Sequence, residues 1–172
     1  MNKKILSLVA AGAITITAMS GGVASAAGVE GSKDVNVTYN NQNSITDPDN
    51  PGSPEWQVAI PSGINFTDNR KTVDTSIELQ NPDGSTYSGD ELEVNVSVAS
   101  ENGYKLTKGS SSVGYTLSYG SKTMNKDSGV KEQISTLTEA STKEAGQARL
   151  SDDVATELGN HIDKLTYTVQ KQ

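Results

Sequence analysis

Apolar and polar residues alternate along several short stretches of the chain, as they do in strands that bury one face. The clearest stretches are residues 92–98, 113–119, 56–60 and 165–169. Weaker alternation marks residues 35–39, 75–80 and 104–106. Valine, threonine and tyrosine are frequent in these stretches, as sheets prefer. The pattern therefore predicts seven or more short strands.

Turn-forming residues separate these stretches. Asn81-Pro82-Asp83-Gly84 places proline and glycine where a tight turn needs them. Asn102-Gly103 is a pair that favours positive φ in a hairpin. Short strands joined in this way predict an all-β fold, an Ig-like antiparallel β-sandwich of about seven to nine strands.

One region, residues 128–160, departs from the alternation. Within it, residues 150–158 have the signals of a short helix: Ser151 as a cap, acidic residues in the first turn and Gly159 at the end. We predict a short helix here. The alternative is a loop that crosses the sandwich between two strands.

The first 26 residues have the features of an export signal. A basic start, Lys3-Lys4, precedes a mostly apolar run over residues 5–18, and Ala24-Ser25-Ala26 fits a signal-peptidase site. An N-terminal membrane anchor is the alternative, although the run is short for a span. Cleavage after Ala26 would leave 12 basic and 21 acidic residues, a net charge of −9. We expect a secreted, cell-surface protein of a Gram-positive bacterium, without a membrane span in the mature chain.

Residues 27–54 are predicted to form an N-terminal arm and a spacer ahead of a sandwich domain at 55–172. The arm contains an alternating strand, residues 34–39, whose apolar side chains are Val35, Val37 and Tyr39. The spacer, residues 42–54, holds three of the five prolines. The strand could pair within its own sandwich. It could also be donated to a neighbour, which would make the protein a filament or pilus subunit.

Composition excludes several kinds of chemistry. The chain has no cysteine, so disulfides, zinc-thiolate sites, iron–sulfur clusters and thiol catalysis are excluded. A single histidine, His161, excludes sites with several histidine ligands. The net charge of −7 argues against binding to nucleic-acid phosphates. We expect no cofactor and no metal.

Two acidic motifs suggest chemistry but fit simpler roles. A calcium loop that begins at Asp47 would need an oxygen ligand at its fifth position and a glutamate at its twelfth, where the chain has Pro51 and Val58. Glu91 and Glu93 could act as the acid and base of a glycosidase, but they also fit the solvent face of an alternating strand.

No catalytic constellation is evident around the remaining candidates. A catalytic His161 would need a nucleophile and an orienting acid, and the chain has no Gly-x-Ser-x-Gly motif. We therefore expect a protein that is not an enzyme. A carbohydrate-binding module or a glycan-active enzyme is the weaker alternative.

The end of the chain, Leu165-Thr166-Tyr167-Thr168-Val169, resembles the C-terminal Leu-Thr-Trp-Thr-Leu signature of the WxL family of Gram-positive surface proteins. Three earlier elements are similar in kind and order: the Asp/Pro-rich residues 47–54, Ile60-Pro61-Ser62-Gly63-Ile64-Asn65-Phe66, and Gly103-Tyr104-Lys105-Leu106. Tyr104 and Tyr167 stand where the family has tryptophan.

The resemblance implies a β-rich module held at the cell surface without a covalent link. It implies peptidoglycan or another surface protein as the partner. Self-association is a further option, through donation of the strand at residues 34–39. The contact residues it suggests are Tyr104, Leu106, Leu165 and Tyr167. The alternative is that the two tyrosines fill the sandwich core, since aromatic side chains on alternating strands pack inward.

Overall fold

Twelve strands make up the part of the chain that the computed structural model describes, residues 43–172, which lie within the compact unit Thr38–Gln172. The strands are β1 (Ser44–Thr46), β2 (Gln57–Ala59), β3 (Thr72–Asp74), β4 (Ile77–Gln80), β5 (Glu93–Ser100), β6 (Lys105–Lys108), β7 (Ser111–Tyr119), β8 (Lys122–Met124), β9 (Glu132–Thr138), β10 (Lys143–Glu144), β11 (Gly146–Leu150) and β12 (Leu165–Lys171). The predicted export signal and the strand at 34–39 lie outside the described residues.

The strands form three sheets in which all pairings are antiparallel. The first sheet has the order β1-β2-β4-β10 and the third has the order β12-β5-β9. The second has the order β3-β11-β7-β6, and β8 pairs with the C-terminal end of β7. The all-β, sandwich-like fold predicted from the alternation is confirmed, with twelve strands rather than seven to nine.

The two longest strands show why alternation predicted them. In β5, Val94, Val96 and Val98 are fully buried, while the residues between them face outward. In β7, Tyr115 and Leu117 belong to the buried face of the same kind of pattern. Since side chains alternate sides along a strand, each strand presents one apolar face to the core.

The core forms where the three sheets meet. Strand β9 of the third sheet contacts β4 and β10 of the first sheet and β8 of the second. Trp56, Leu79 and Leu137 are among the fully buried side chains there. One continuous apolar cluster therefore joins the sheets.

The predicted helix at 150–158 is wrong. Residue 150 ends β11, and the described residues contain no helix. A helix would place Val154 and Leu158 on one face, yet they are 87% and 94% exposed, so nothing would cover that face. The side chain of Ser151 donates to Asp153 Oδ2, although a helix cap would accept from the backbone.

Residues 128–160 contain three strands that alternation did not reveal: β9, β10 and β11. In β9 the register with β5 shifts between Val96 and Ser97, which pair with Ser135 and Gln133. Ile134 is therefore the extra residue of a β-bulge, and Ile134 and Ser135 are both buried. The bulge removes the period of two on which the prediction depended.

The interpretation of residues 42–54 as a spacer is also corrected. Ser44–Thr46 is a strand of the first sheet, paired with Gln57–Ala59, and Asp47 is buried. Asp47 Oδ1 accepts from the Asp49 N–H at 3.0 Å, so the acidic motif that begins at Asp47 forms a turn. The folded domain thus begins no later than Ser44.

The two predicted turns differ in outcome. At Asn81–Gly84 the Gly84 N–H donates to the Asn81 carbonyl and Gly84 has φ 86°, as a tight turn needs. The hairpin at Asn102-Gly103 is not formed, because β5 and β6 lie in different sheets. Among the described residues, no helix is long and apolar enough to cross a membrane.

Candidate binding groove

A groove of about 620 Å³ opens on the surface of the domain. Ile45 of β1, Leu106 of β6, and Leu165 and Tyr167 of β12 line it, together with the segment 60–66 that follows β2. These residues are far apart in the sequence, so the groove exists only in the folded protein.

Each sheet contributes one of its two edge strands to this groove. Strand β1 is one edge of the first sheet, β6 is one edge of the second and β12 is one edge of the third. Within the described residues, β1 pairs only with β2, and β12 pairs only with β5. The free side of β6 is partly used by Thr107, which exchanges two backbone hydrogen bonds with Ile162. Within residues 43–172, two strand edges without a partner therefore border the groove.

The wall of the groove combines apolar and polar surface in similar proportion. Ile45, Ile64, Leu106 and Leu165 are partly buried against the core cluster and partly exposed. Phe66 lies beside Tyr115, another lining residue, with ring centroids 6.0 Å apart and a tilt of 47°. Such a surface favours an apolar or aromatic ligand face.

One carboxylate, Asp163, lies in the wall and is held by four donors. The Ser100 and Tyr115 hydroxyls donate to Asp163 Oδ2, each at 2.6 Å. The backbone N–H groups of Asn102 and Lys164 donate to Oδ1 at 3.0 and 2.8 Å. Burial, and then the Asp163 carboxylate, raise the pKa of Tyr115 far above its usual value. This network fixes the start of β12 against the chain that leaves β5.

A second hydrogen-bonded chain anchors Tyr167. The Tyr119 hydroxyl donates to the Thr75 carbonyl at 2.9 Å, and the Tyr119 and Tyr167 hydroxyl oxygens are 2.8 Å apart. Tyr119 has one hydroxyl proton, so Tyr167 must be the donor of the second bond. Burial raises the pKa of both phenols. Tyr167 therefore has a fixed ring in the groove wall rather than a mobile one.

The structure brings together three of the four contact residues that the resemblance suggested. Leu106, Leu165 and Tyr167 line the same groove. Tyr104 does not line it: only 5% exposed, its ring packs edge-on against Tyr115 at 5.9 Å. The predicted donor strand, with Val35, Val37 and Tyr39, lies outside the described residues.

The conformation of Tyr104 is set by its role in the core. Its φ is 60°, a left-handed value that is uncommon for residues other than glycine. Its N–H donates to Ser100 Oγ at 2.6 Å and its hydroxyl donates to Glu132 at 3.3 Å. Burial, and then Glu132, raise the pKa of the phenol. The surrounding bonds thus hold a backbone geometry that is unfavourable by itself.

Sequence reasoning missed four residues of the groove: Ile45, Tyr115, Asp163 and Lys164. Ile45 lies in the predicted spacer, and Tyr115 lies in the strand predicted over residues 113–119. Asp163 and Lys164 precede the last strand without any motif. Phe66 was accessible to sequence reasoning, because it lies in the segment 60–66 that forms part of the family resemblance.

His161 has a serine neighbour that the sequence did not reveal. Its Nε2 lies 2.8 Å from Ser111 Oγ, and its Nδ1 lies 3.1 Å from the Gly159 carbonyl. Ser111 is 2% exposed, and its oxygen accepts from the N–H groups of Thr156 and Glu157. Two donors use the acceptor positions of the hydroxyl, so its proton points to Nε2. The pair ties the segment after β11 to the start of β7.

Comparison with known protein families, with curated proteins and with solved structures finds no match to this chain. The side chains of the described residues include no group of three or more histidines and carboxylates placed to hold a metal ion.

Proposed function

We propose that this protein is a secreted, non-catalytic module of a Gram-positive cell surface, with a structural or adhesive role. It makes non-covalent contact with the cell wall or with another surface protein, as the resemblance to the WxL family implies. The groove is the contact surface, and its partner is an extended polymer chain, either a glycan strand or a peptide.

The observation that carries this proposal is the convergence of the motif residues in space. Leu106 and Leu165 come from motifs almost 60 positions apart in the sequence, yet both line the groove beside Tyr167. A role only in the core would not require them to share an accessible surface. Partly exposed apolar side chains that cluster in one depression are typical of binding surfaces.

The shape and chemistry of the groove favour an extended ligand. Apolar and aromatic side chains line part of the groove, and Asp163 has its oxygens engaged by four donors. The exposed Lys164 lines it as well, so apolar contact can combine with recognition of a polar or negatively charged group of the ligand. The edges of β1 and β12 that have no partner among the described residues add backbone groups that a polymer chain can bond along its length.

The test is co-sedimentation with purified Gram-positive cell walls, using protein secreted into the medium of a Gram-positive expression host. The variant F66S/L165S removes two large apolar contacts from the groove. We expect it to lose at least about tenfold in wall retention, because each such contact contributes on the order of 1.5 kcal/mol.

The matched control is V154S/L158S, which makes the same kind of change at residues that are 87% and 94% exposed and do not line the groove. It should be retained like the unaltered protein. Thermal unfolding of every variant identifies loss of the fold. The proposal fails if the unaltered protein is not retained above a non-binding control, or if the folded groove variant is retained equally.

A further inference from the structure

We propose that the groove receives residues 34–39 of a second copy of this chain as an added β-strand, so that the protein assembles head to tail. This inference rests on the proposed function in taking the same groove as the contact surface. It names the partner, which is another molecule of the same protein.

The acceptor is a pair of open strand edges. In the described residues, Leu165–Lys171 pairs with β5 on one side only, and Ser44–Thr46 pairs with β2 on one side only. Strand edges without a neighbour leave N–H and C=O groups directed outward, where a further strand can add. The lining of the groove by Ile45 and Leu165 places both edges beside the same apolar depression.

The proposed donor strand, residues 34–39, has an apolar face that can pack into the groove. Val35, Val37 and Tyr39 alternate with the polar residues Asp34, Asn36 and Thr38. In an extended strand the three apolar side chains fall on one face, about 7 Å apart, and span roughly 14 Å. That face meets the apolar wall, while the polar face stays in water.

The length of the available edges favours a second copy over the same chain. The described chain begins at Asn43, whose carbonyl accepts from the N–H of Ile60, a lining residue. If the strand of the same chain turned back directly through residues 40–42, it would pair with β1, which offers three residues. A donated strand would pair along β12, which offers seven. More backbone hydrogen bonds form in the second arrangement.

Donation of this kind joins two different surfaces, the arm of one molecule and the groove of the next. Such heterologous contacts do not close on themselves unless the rotation forms a ring. Open chains of several molecules are the expected product. A protein layer or filament of this kind would give the structural role proposed above a physical basis.

The first experiment measures mass in solution by light scattering across a hundredfold range of concentration. The secreted protein should form species larger than a monomer, and their share should rise with concentration. Deletion of residues 27–41 should leave a monomer. The variant V35S/V37S should weaken assembly at least tenfold, whereas N36S/T38S, which changes the polar face of the same strand, should assemble normally.

The second experiment presents the donor as a synthetic, fluorescently labelled peptide of residues 33–41. It should bind the deletion variant in fluorescence polarisation, and L165S should weaken this binding at least tenfold. The matched control is L158S, which makes the same change at an exposed residue outside the groove and should bind the peptide as the deletion variant does.

The inference is overturned if the secreted protein is monomeric at every concentration, which would show that the strand pairs within its own chain or not at all. It is also overturned if the assemblies survive the deletion. Wall co-sedimentation separates the two proposals. Assembly without wall retention refutes only wall binding, and wall retention of a strict monomer refutes only strand donation.

Discussion

At the scale of the residue, buried tyrosines do much of the positioning in this domain. Tyr104 holds a left-handed backbone in the core, Tyr115 anchors Asp163, and Tyr119 receives the hydroxyl of Tyr167. A tyrosine can pack its ring and still satisfy its hydroxyl, which valine and leucine cannot do. The groove wall therefore owes its fixed geometry to hydrogen bonds behind it.

The direction of the Tyr119–Tyr167 bond leads to a prediction at this scale. Y167F should cost about 1 kcal/mol in the free energy of unfolding, because it removes one donor and leaves Tyr119 bonded to Thr75. Y119F should cost more, about 1–3 kcal/mol, because the Thr75 carbonyl and the Tyr167 hydroxyl both lose their partner. Urea denaturation of the two variants measures the difference. Equal losses would mean that the bond from the Tyr119 hydroxyl to the Thr75 carbonyl adds nothing to stability.

At the scale of the element, the segment between β11 and β12 is held by side chains instead of its own backbone. The N–H groups of Thr156 and Glu157 bond to Ser111, and the Leu158 carbonyl accepts from the Lys108 ammonium. Sequence signals for a helix are present in this segment, but no surface covers the apolar face it would have. Tertiary partners override local propensity here.

This arrangement predicts that S111A loosens the segment selectively. Two backbone N–H groups would lose their acceptor, at a cost of about 1–3 kcal/mol. Hydrogen exchange should accelerate at Thr156 and Glu157, while amides of β5 keep their protection relative to global unfolding. The control S112A alters the neighbouring exposed serine and should change little. If S111A and S112A exchange alike at both amides, Ser111 does not hold the segment.

At the scale of the whole molecule, three sheets share one core, and one edge strand of each sheet lines the same groove. Four tyrosines that lie in β7 and β12 or next to β6 are buried or partly buried in the shared core cluster. Their burial therefore depends on the packing of all three sheets. Desolvation raises the pKa of Tyr104, Tyr115, Tyr119 and Tyr167. The folded protein thus keeps protons that the unfolded chain releases.

A pH dependence follows, with a definite sign. In the unfolded chain a tyrosine has a pKa of about 10, so above that pH the unfolded state loses protons that the folded state retains. The contribution of these tyrosines to stability is complete below pH 10 and falls as the pH rises further. Urea midpoints should decrease from pH 9 to pH 11, and phenolate absorbance should rise together with loss of the near-ultraviolet circular dichroism. Ionisation of every tyrosine near pH 10 in the folded protein would contradict this.

How much the sequence predicted depends on how local the signal was. Strands β5 and β7 were predictable because each alternates over several residues with one face in the core. Strand β9 was not, because the bulge at Ile134 places two consecutive residues inside. In the candidate site, Leu106, Leu165 and Tyr167 were found through a resemblance, whereas Asp163 has no neighbouring pattern at all.

The sequence by itself determined the class of fold, because a period of two in hydrophobicity is a property of the strand and needs no partner to be read. It also excluded thiol chemistry, since the chain has no cysteine. Only the tertiary structure decided that three sheet edges meet, that Tyr104 is buried while Tyr167 lines a groove, and that residues 150–158 are not helical. Those outcomes depend on which distant side chains supply packing and hydrogen bonds, and such contacts have no signature in the local sequence.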